Sequence, residues 1–92
     1  MSNIVAEHNN FQLEHLPGIG YCVWDSGSFK GDIFVEADYK DNHNPNPEEL
    51  KYTVFLSLPS AMIFDAREAE KMAKNIVEAQ EAAEVFERFL NS

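Results

Sequence analysis

The side chains that could do chemistry here are few and badly spaced for it. The histidines are His8, His15 and His43, and the one cysteine is Cys22. No two of them stand four apart on a helical pattern, and there is no Cys-x-x-Cys, so no metal-binding spacing is present. Glu7-His8 and Glu14-His15 are neighbours in sequence, and neighbours on a strand point to opposite faces. The histidines read as polar positions at strand ends and in a loop. Cys22 reads as a small buried apolar residue.

Oxygen ligands cluster once, at Asp38, Asp41, Asn42, Asn44 and Asn46. A calcium loop needs a central Gly and a Glu at its twelfth position. Here Pro45 and Pro47 intrude and no Gly supplies the turn, so the stretch reads as a solvated Asx-rich loop. Ser26, Ser28, Ser57 and Ser60 sit in no Gly-x-Ser-x-Gly elbow. Gly18, Gly20, Gly27 and Gly31 make neither a dinucleotide fingerprint nor a phosphate loop. No catalytic residue, cofactor or metal follows from these patterns. An enzyme or ligand-binding domain with a carboxylate cleft stays an alternative, because acids are plentiful.

Charge is more informative. Sixteen acids face seven bases, for a formal charge of −9. The excess runs through both halves of the chain and is not a tail. Such a surface repels nucleic acid and anionic membranes and attracts a basic protein. A single cysteine and the lack of a basic-then-apolar leader point to a cytoplasmic, intracellular setting. No apolar run approaches the roughly 20 residues that cross a bilayer.

At 92 residues the chain has room for one domain. Residues 1–10 read as a flexible N-terminal lead-in, in which Ile4 and Val5 could add to a strand edge, and 11–92 as a single α+β domain. Alternation marks a first strand over Phe11–Leu16, closed by the turn Pro17-Gly18-Ile19-Gly20. A second strand covers Tyr21–Trp24, a third Ile33–Tyr39 and a fourth Leu50–Leu58. The third and fourth permit a register test. With Val35 opposite Val54, Ile33 meets Leu56, Ala37 meets Tyr52 and Tyr39 meets Leu50, all on one apolar face. The other face then pairs Phe34 with Phe55, Glu36 with Thr53 and Asp38 with Lys51. A one-residue slip would turn the apolar set to water.

From Asp65 to Ser92 no Gly or Pro interrupts a helical pattern. Asp65 is a good N-cap, with Glu68 placed to complete a capping box and Phe64 to staple onto Ala69. The apolar stripe is Ala69, Met72, Ala73, Ile76, Ala79 or Gln80, Ala83, Phe86 and Leu90. Glu70 with Lys74 and Glu84 with Arg88 are spaced for ion pairs. The expected architecture is a four-stranded antiparallel meander with one C-terminal helix packed across one face. Either Tyr21 and Val23 or Cys22 and Trp24 lie on the uncovered face. The preference of a free thiol for burial favours Cys22 and Trp24 inward, and the eight-residue loop before the third strand leaves that register open.

The uncovered sheet face is then the candidate contact surface. It would present Phe34 and Phe55 among Glu36, Asp38 and Lys51, continuing into Asp41, Glu48 and Glu49 of the loop. Aromatics ringed by acids suit a non-catalytic module that docks on a basic partner. An inhibitor whose carboxylates stand in for nucleic-acid phosphates is one form of it. A homodimer through the same face or an edge strand is the second expectation.

Overall fold

The computed structural model describes residues 3–27, 29–41, 43–59 and 63–92. Ser28, Asn42 and Ser60 lie outside the described residues. The fold is α+β, with five antiparallel strands in two sheets and one C-terminal helix against both. The strands are β1 (Asn3–His8), β2 (Phe11–Leu16), β3 (Gly20–Asp25), β4 (Asp32–Tyr39) and β5 (Leu50–Ser57), and the helix is α1 (Ala66–Leu90). One sheet has the order β1-β2-β3, and β4 pairs with β5 in the other.

Two features correct the sequence reading. The residues taken as a lead-in form β1, which pairs with β2 from Asn3↔His15 to His8↔Phe11. The turn between them is Asn9-Asn10, both at positive φ (49° and 67°). Two left-handed residues match the twist of a two-residue hairpin, and Asn tolerates that region. A register shift between Ile4 and Ala6 breaks the alternation that would have marked the strand. The single meander is also corrected: no ladder joins β3 to β4.

The β2–β3 turn forms where Pro and Gly require it. Ile19 N–H donates to the Leu16 carbonyl at 2.9 Å, with Gly18 at φ 79°. Pro at the second position and a left-handed Gly at the third are the type II pattern. In the second sheet every pair expected of β4 and β5 is present, from Ile33↔Leu56 to Tyr39↔Leu50.

One core serves both sheets. Phe11 and Leu13 of β2, Ile33 of β4 and Val54 of β5 meet Ala79, Ala82, Ala83 and Phe86 of α1. Leu13 and Phe86 are fully buried. The alanines let the helix backbone approach the strands, and each large apolar side chain buried contributes roughly 1.5–3 kcal/mol. The helix start follows its chemistry: Asp65 accepts the Glu68 N–H at 2.8 Å.

The stripe does not run the length of the helix. Ala69, Ala73 and Gln80 are exposed, and Ala82 is buried in their stead. A 25-residue helix is about 37 Å long, whereas the six-residue strands of the first sheet reach only about 20 Å. The first turns of α1 therefore pass beyond the strands, and there only Met72 is buried. The radius of gyration is 15.1 Å, against about 12 Å for a compact chain of this length. The molecule is elongated, and it leaves much of its apolar surface uncovered.

Candidate functional site

The β4–β5 hairpin carries the candidate surface. Strand alternation sends Ile33, Val35 and Val54 toward α1 and turns Phe34 and Phe55 the opposite way. The two rings lie 5.6 Å apart at an interplanar angle of 36°. They keep 47% and 37% of their surface exposed, so the pair is an open platform. Glu36, Asp38 and Lys51 are exposed on the same face. Asp38 stands opposite Lys51, yet among the described residues no Lys or Arg side chain pairs with a carboxylate; His8 Nε2 lies 3.9 Å from Glu81, a contact that is ionic only with the imidazole protonated. The helical pairs Glu70 with Lys74 and Glu84 with Arg88 do not close either. The carboxylates thus face solvent with little local compensation.

The loop beyond the hairpin is built, not loose. Asp41 accepts the His43 N–H at 2.9 Å and the Asn44 side-chain amide at 3.4 Å. Asn46 accepts the Glu48 N–H at 3.0 Å and caps the short 3-10 turn Pro47–Glu49. Lys40 N–H donates to the Glu49 carbonyl at 3.1 Å and ties the base of the loop. Glu48 and Glu49 are exposed. Asp41 spends its carboxylate on its own turn, so it shapes the loop while Glu48 and Glu49 present charge. Among the described residues no three His, Cys, Asp or Glu side chains converge as a metal group.

The first sheet extends the aromatic surface through a residue expected inside. Trp24 is 55% exposed and points away from the core, as does Cys22, while Tyr21 and Val23 pack inward. The register with β2 decides this: Val23 pairs with buried Leu13, so both share the core face. Cys22 is partly buried on the outward side, so the preference of a thiol for burial does not turn it toward the core. Glu14 lies beneath it there, only 7% exposed, and its Oε1 accepts the Trp24 indole N–H at 2.7 Å. A charge-assisted bond of that length fixes the indole. Burial raises the Cys22 thiol above its ordinary pKa, and the Glu14 carboxylate raises it further.

A cavity of about 370 Å³ opens between β3 and β4. Phe11 and Ile33 lie on its core side, and Trp24 and Phe34 on its outward side. Asp25 and Asp32 also line it. The Asp25 carboxylate is engaged by the Gly27 and Phe29 N–H groups at 2.7 and 2.9 Å, which start the loop to β4. Under the middle of the helix Leu13 and Phe86 are fully buried, while a smaller cavity of about 240 Å³ lies against its first turns, lined by Lys30, Phe64, Glu68, Lys71, Met72 and Asn75. His15 rests 5.0 Å from the Tyr21 ring, and Tyr21 meets Tyr52 edge-on at 5.6 Å.

No described helix is long and apolar enough to cross a membrane. Comparison with protein-family models, with curated proteins and with solved structures finds no match to this chain.

Proposed function

We propose that the chain is a non-catalytic binding module that docks on a basic protein surface. The observation that carries this reading is the exposed Phe34–Phe55 pair set among uncompensated carboxylates. Aromatic platforms supply contact area at small entropic loss, and charge of one sign steers the encounter. Trp24 enlarges the platform, and Glu36, Asp38, Glu48 and Glu49 rim it, with Asp41 holding the loop in shape. In an inhibitor of this kind the carboxylates occupy the positions that phosphates would take in a basic groove.

A two-fold contact through the same face is electrostatically poorer. The outward residues of β4 and β5 include Asp32, Glu36 and Asp38 against Lys51 alone, so two copies would set acid against acid. Affinity capture with the wild-type chain at low and high salt tests the reading, with Phe34→Glu and the double change Glu36→Lys, Asp38→Lys run beside it. A partner lost at high salt and lost in both variants, but kept by Glu84→Lys on the helix, is the expected outcome. A partner indifferent to these changes overturns it. So does a dimer in light scattering that Phe55→Glu dissolves.

A further inference from the structure

We infer that the cleft between β3 and β4 receives an extended segment of the basic partner, added as a strand along the free edge of β4. This rests on the docking reading above and specifies how the partner is held. The strand edges are not equivalent. The outer edge of β5 is closed by the helix: Val54 N–H donates to Glu87 Oε1 at 3.0 Å, and Asn91 bonds both backbone groups of Tyr52 at 2.8 and 2.9 Å. The outer edge of β1 is broken by its register shift, a device that discourages pairing. The edges of β3 and β4 face one cavity, and among the described residues no backbone hydrogen bond joins them.

The direction of the free groups follows from antiparallel alternation. Tyr52 and Val54 turn their backbone groups away from β4, so their partners Ala37 and Val35 turn theirs away from β5. Ile33 belongs to the same set. Tyr39 ends the row, because its N–H already bonds Asp38 Oδ1 at 2.9 Å. On β3, Ser26 N–H bonds the Asn10 carbonyl at 3.1 Å; alternation from that pair sends the groups of Tyr21, Val23 and Asp25 toward β4. Two rows of donors and acceptors thus look into the cleft, Tyr21, Val23 and Asp25 on one side and Ile33 and Val35 on the other, and Ala37 continues the β4 row beyond the cavity.

The side chains beside such a strand define its chemistry. Outward it would run past Asp32, Phe34, Glu36 and Asp38, and inward past Ile33, Val35 and Ala37. Charge complementarity selects lysine or arginine at alternate positions and small apolar residues between them. Backbone bonds would supply affinity and the alternating neighbours specificity, as in other strand additions.

The test uses the full chain, ¹⁵N-labelled, and a capped peptide Lys-Val-Lys-Val-Lys-Val. A saturable, salt-weakened interaction that slows amide exchange at Ile33, Val35 and Ala37 is expected. Glu in place of Lys, or N-methylation of alternate peptide amides in both registers, should weaken it about tenfold or more. Val35→Pro, which removes an N–H the β4–β5 ladder does not use, should do the same. If that variant misfolds, the methylated peptides decide. A peptide that shifts Phe34 and Phe55 without protecting those three amides overturns strand addition and leaves the docking reading standing. Equal binding of the Lys and Glu peptides overturns the charge rule. No binding of the Lys peptide, while Phe34→Glu and charge reversal still abolish salt-sensitive capture, also overturns strand addition alone. Loss of that capture result as well brings down both.

Discussion

Asn91 engages both backbone groups of Tyr52 on one edge of β5: its Oδ1 accepts the Tyr52 N–H at 2.8 Å and its Nδ2 donates to the Tyr52 carbonyl at 2.9 Å. One side chain at the C-cap of α1 thereby occupies an edge position of β5 as a neighbouring strand would. Asn91→Ala removes both bonds, each of which contributes about 0.5–1.5 kcal/mol. A loss of about 1–2 kcal/mol in urea unfolding is expected, together with faster exchange of the Tyr52 amide. Unchanged exchange there would show that the helix cap does not hold the edge.

Stability and docking should separate at the phenylalanines. Phe86 is fully buried in the core shared by the two sheets, and Phe86→Ala is expected to cost about 3–5 kcal/mol. That is a large part of what a domain of this size has. Phe34→Ala forfeits only an exposed ring contact, about 0.5–1.5 kcal/mol. Thermal unfolding beside partner capture distinguishes them: Phe34→Ala should stay folded and bind weakly. A Phe34→Ala protein as unstable as Phe86→Ala would place that ring in the structural core.

The register of β4 with β5 was legible because one alignment satisfied an apolar face, an aromatic pair and a charge pair together, and all seven expected pairs are present, with Asp32↔Ser57 added at the end. The helix and its Asp65 cap were legible from the same kind of local agreement. β1 was not, because its register shift removes the period of two and its turn is written in Asn-Asn without glycine. Nor was the gap between β3 and β4, since local pattern does not say whether successive strands bond. Trp24 was misplaced for a related reason: its face is fixed by pairing with β2, not by the preference of Cys22.

Asn10 carries the test of the first hairpin. Its φ of 67° lies in the left-handed region, which disfavours most side chains by about 1–2 kcal/mol. Asn10→Ala is expected to destabilise by about 1 kcal/mol and Asn10→Gly to be neutral or slightly stabilising. Chemical denaturation of the two variants provides the comparison. If alanine were tolerated as well as glycine, the turn geometry would not be what holds β1 on β2.

Gly31 answers to space, not to dihedral freedom. A Cβ there would stand 2.7 Å from the Ser57 carbonyl oxygen and 2.9 Å from the Phe29 ring. The oxygen belongs to the backbone at the end of β5 and cannot swing aside, so the start of β4 must move. Gly31→Ala is expected to lose about 1–3 kcal/mol and to disturb the amide signals of Asp32 and Ser57. Wild-type stability with those signals unshifted would mean that the added Cβ fits there without displacing either strand.

The Cys22 thiol gives a way to tell burial from charge on the outward face. Both causes raise its pKa, burial first and the Glu14 carboxylate second. A raised folded-state pKa favours the protonated thiol. The associated stability is fully present below the ordinary value of 9.0 and is lost as pH rises through the folded-state value. Neutral pH should therefore leave this contribution flat, with a decline confined to the alkaline side. Thiolate is the reacting form, so native Cys22 should label more slowly than the denatured chain at pH 8. Glu14→Gln retains an oxygen that can accept the Trp24 indole N–H while removing the charge. It should speed labelling in part and leave the remainder set by burial. Equal rates in Glu14→Gln and wild type would exclude the carboxylate as a cause. Full recovery of the denatured rate would exclude burial.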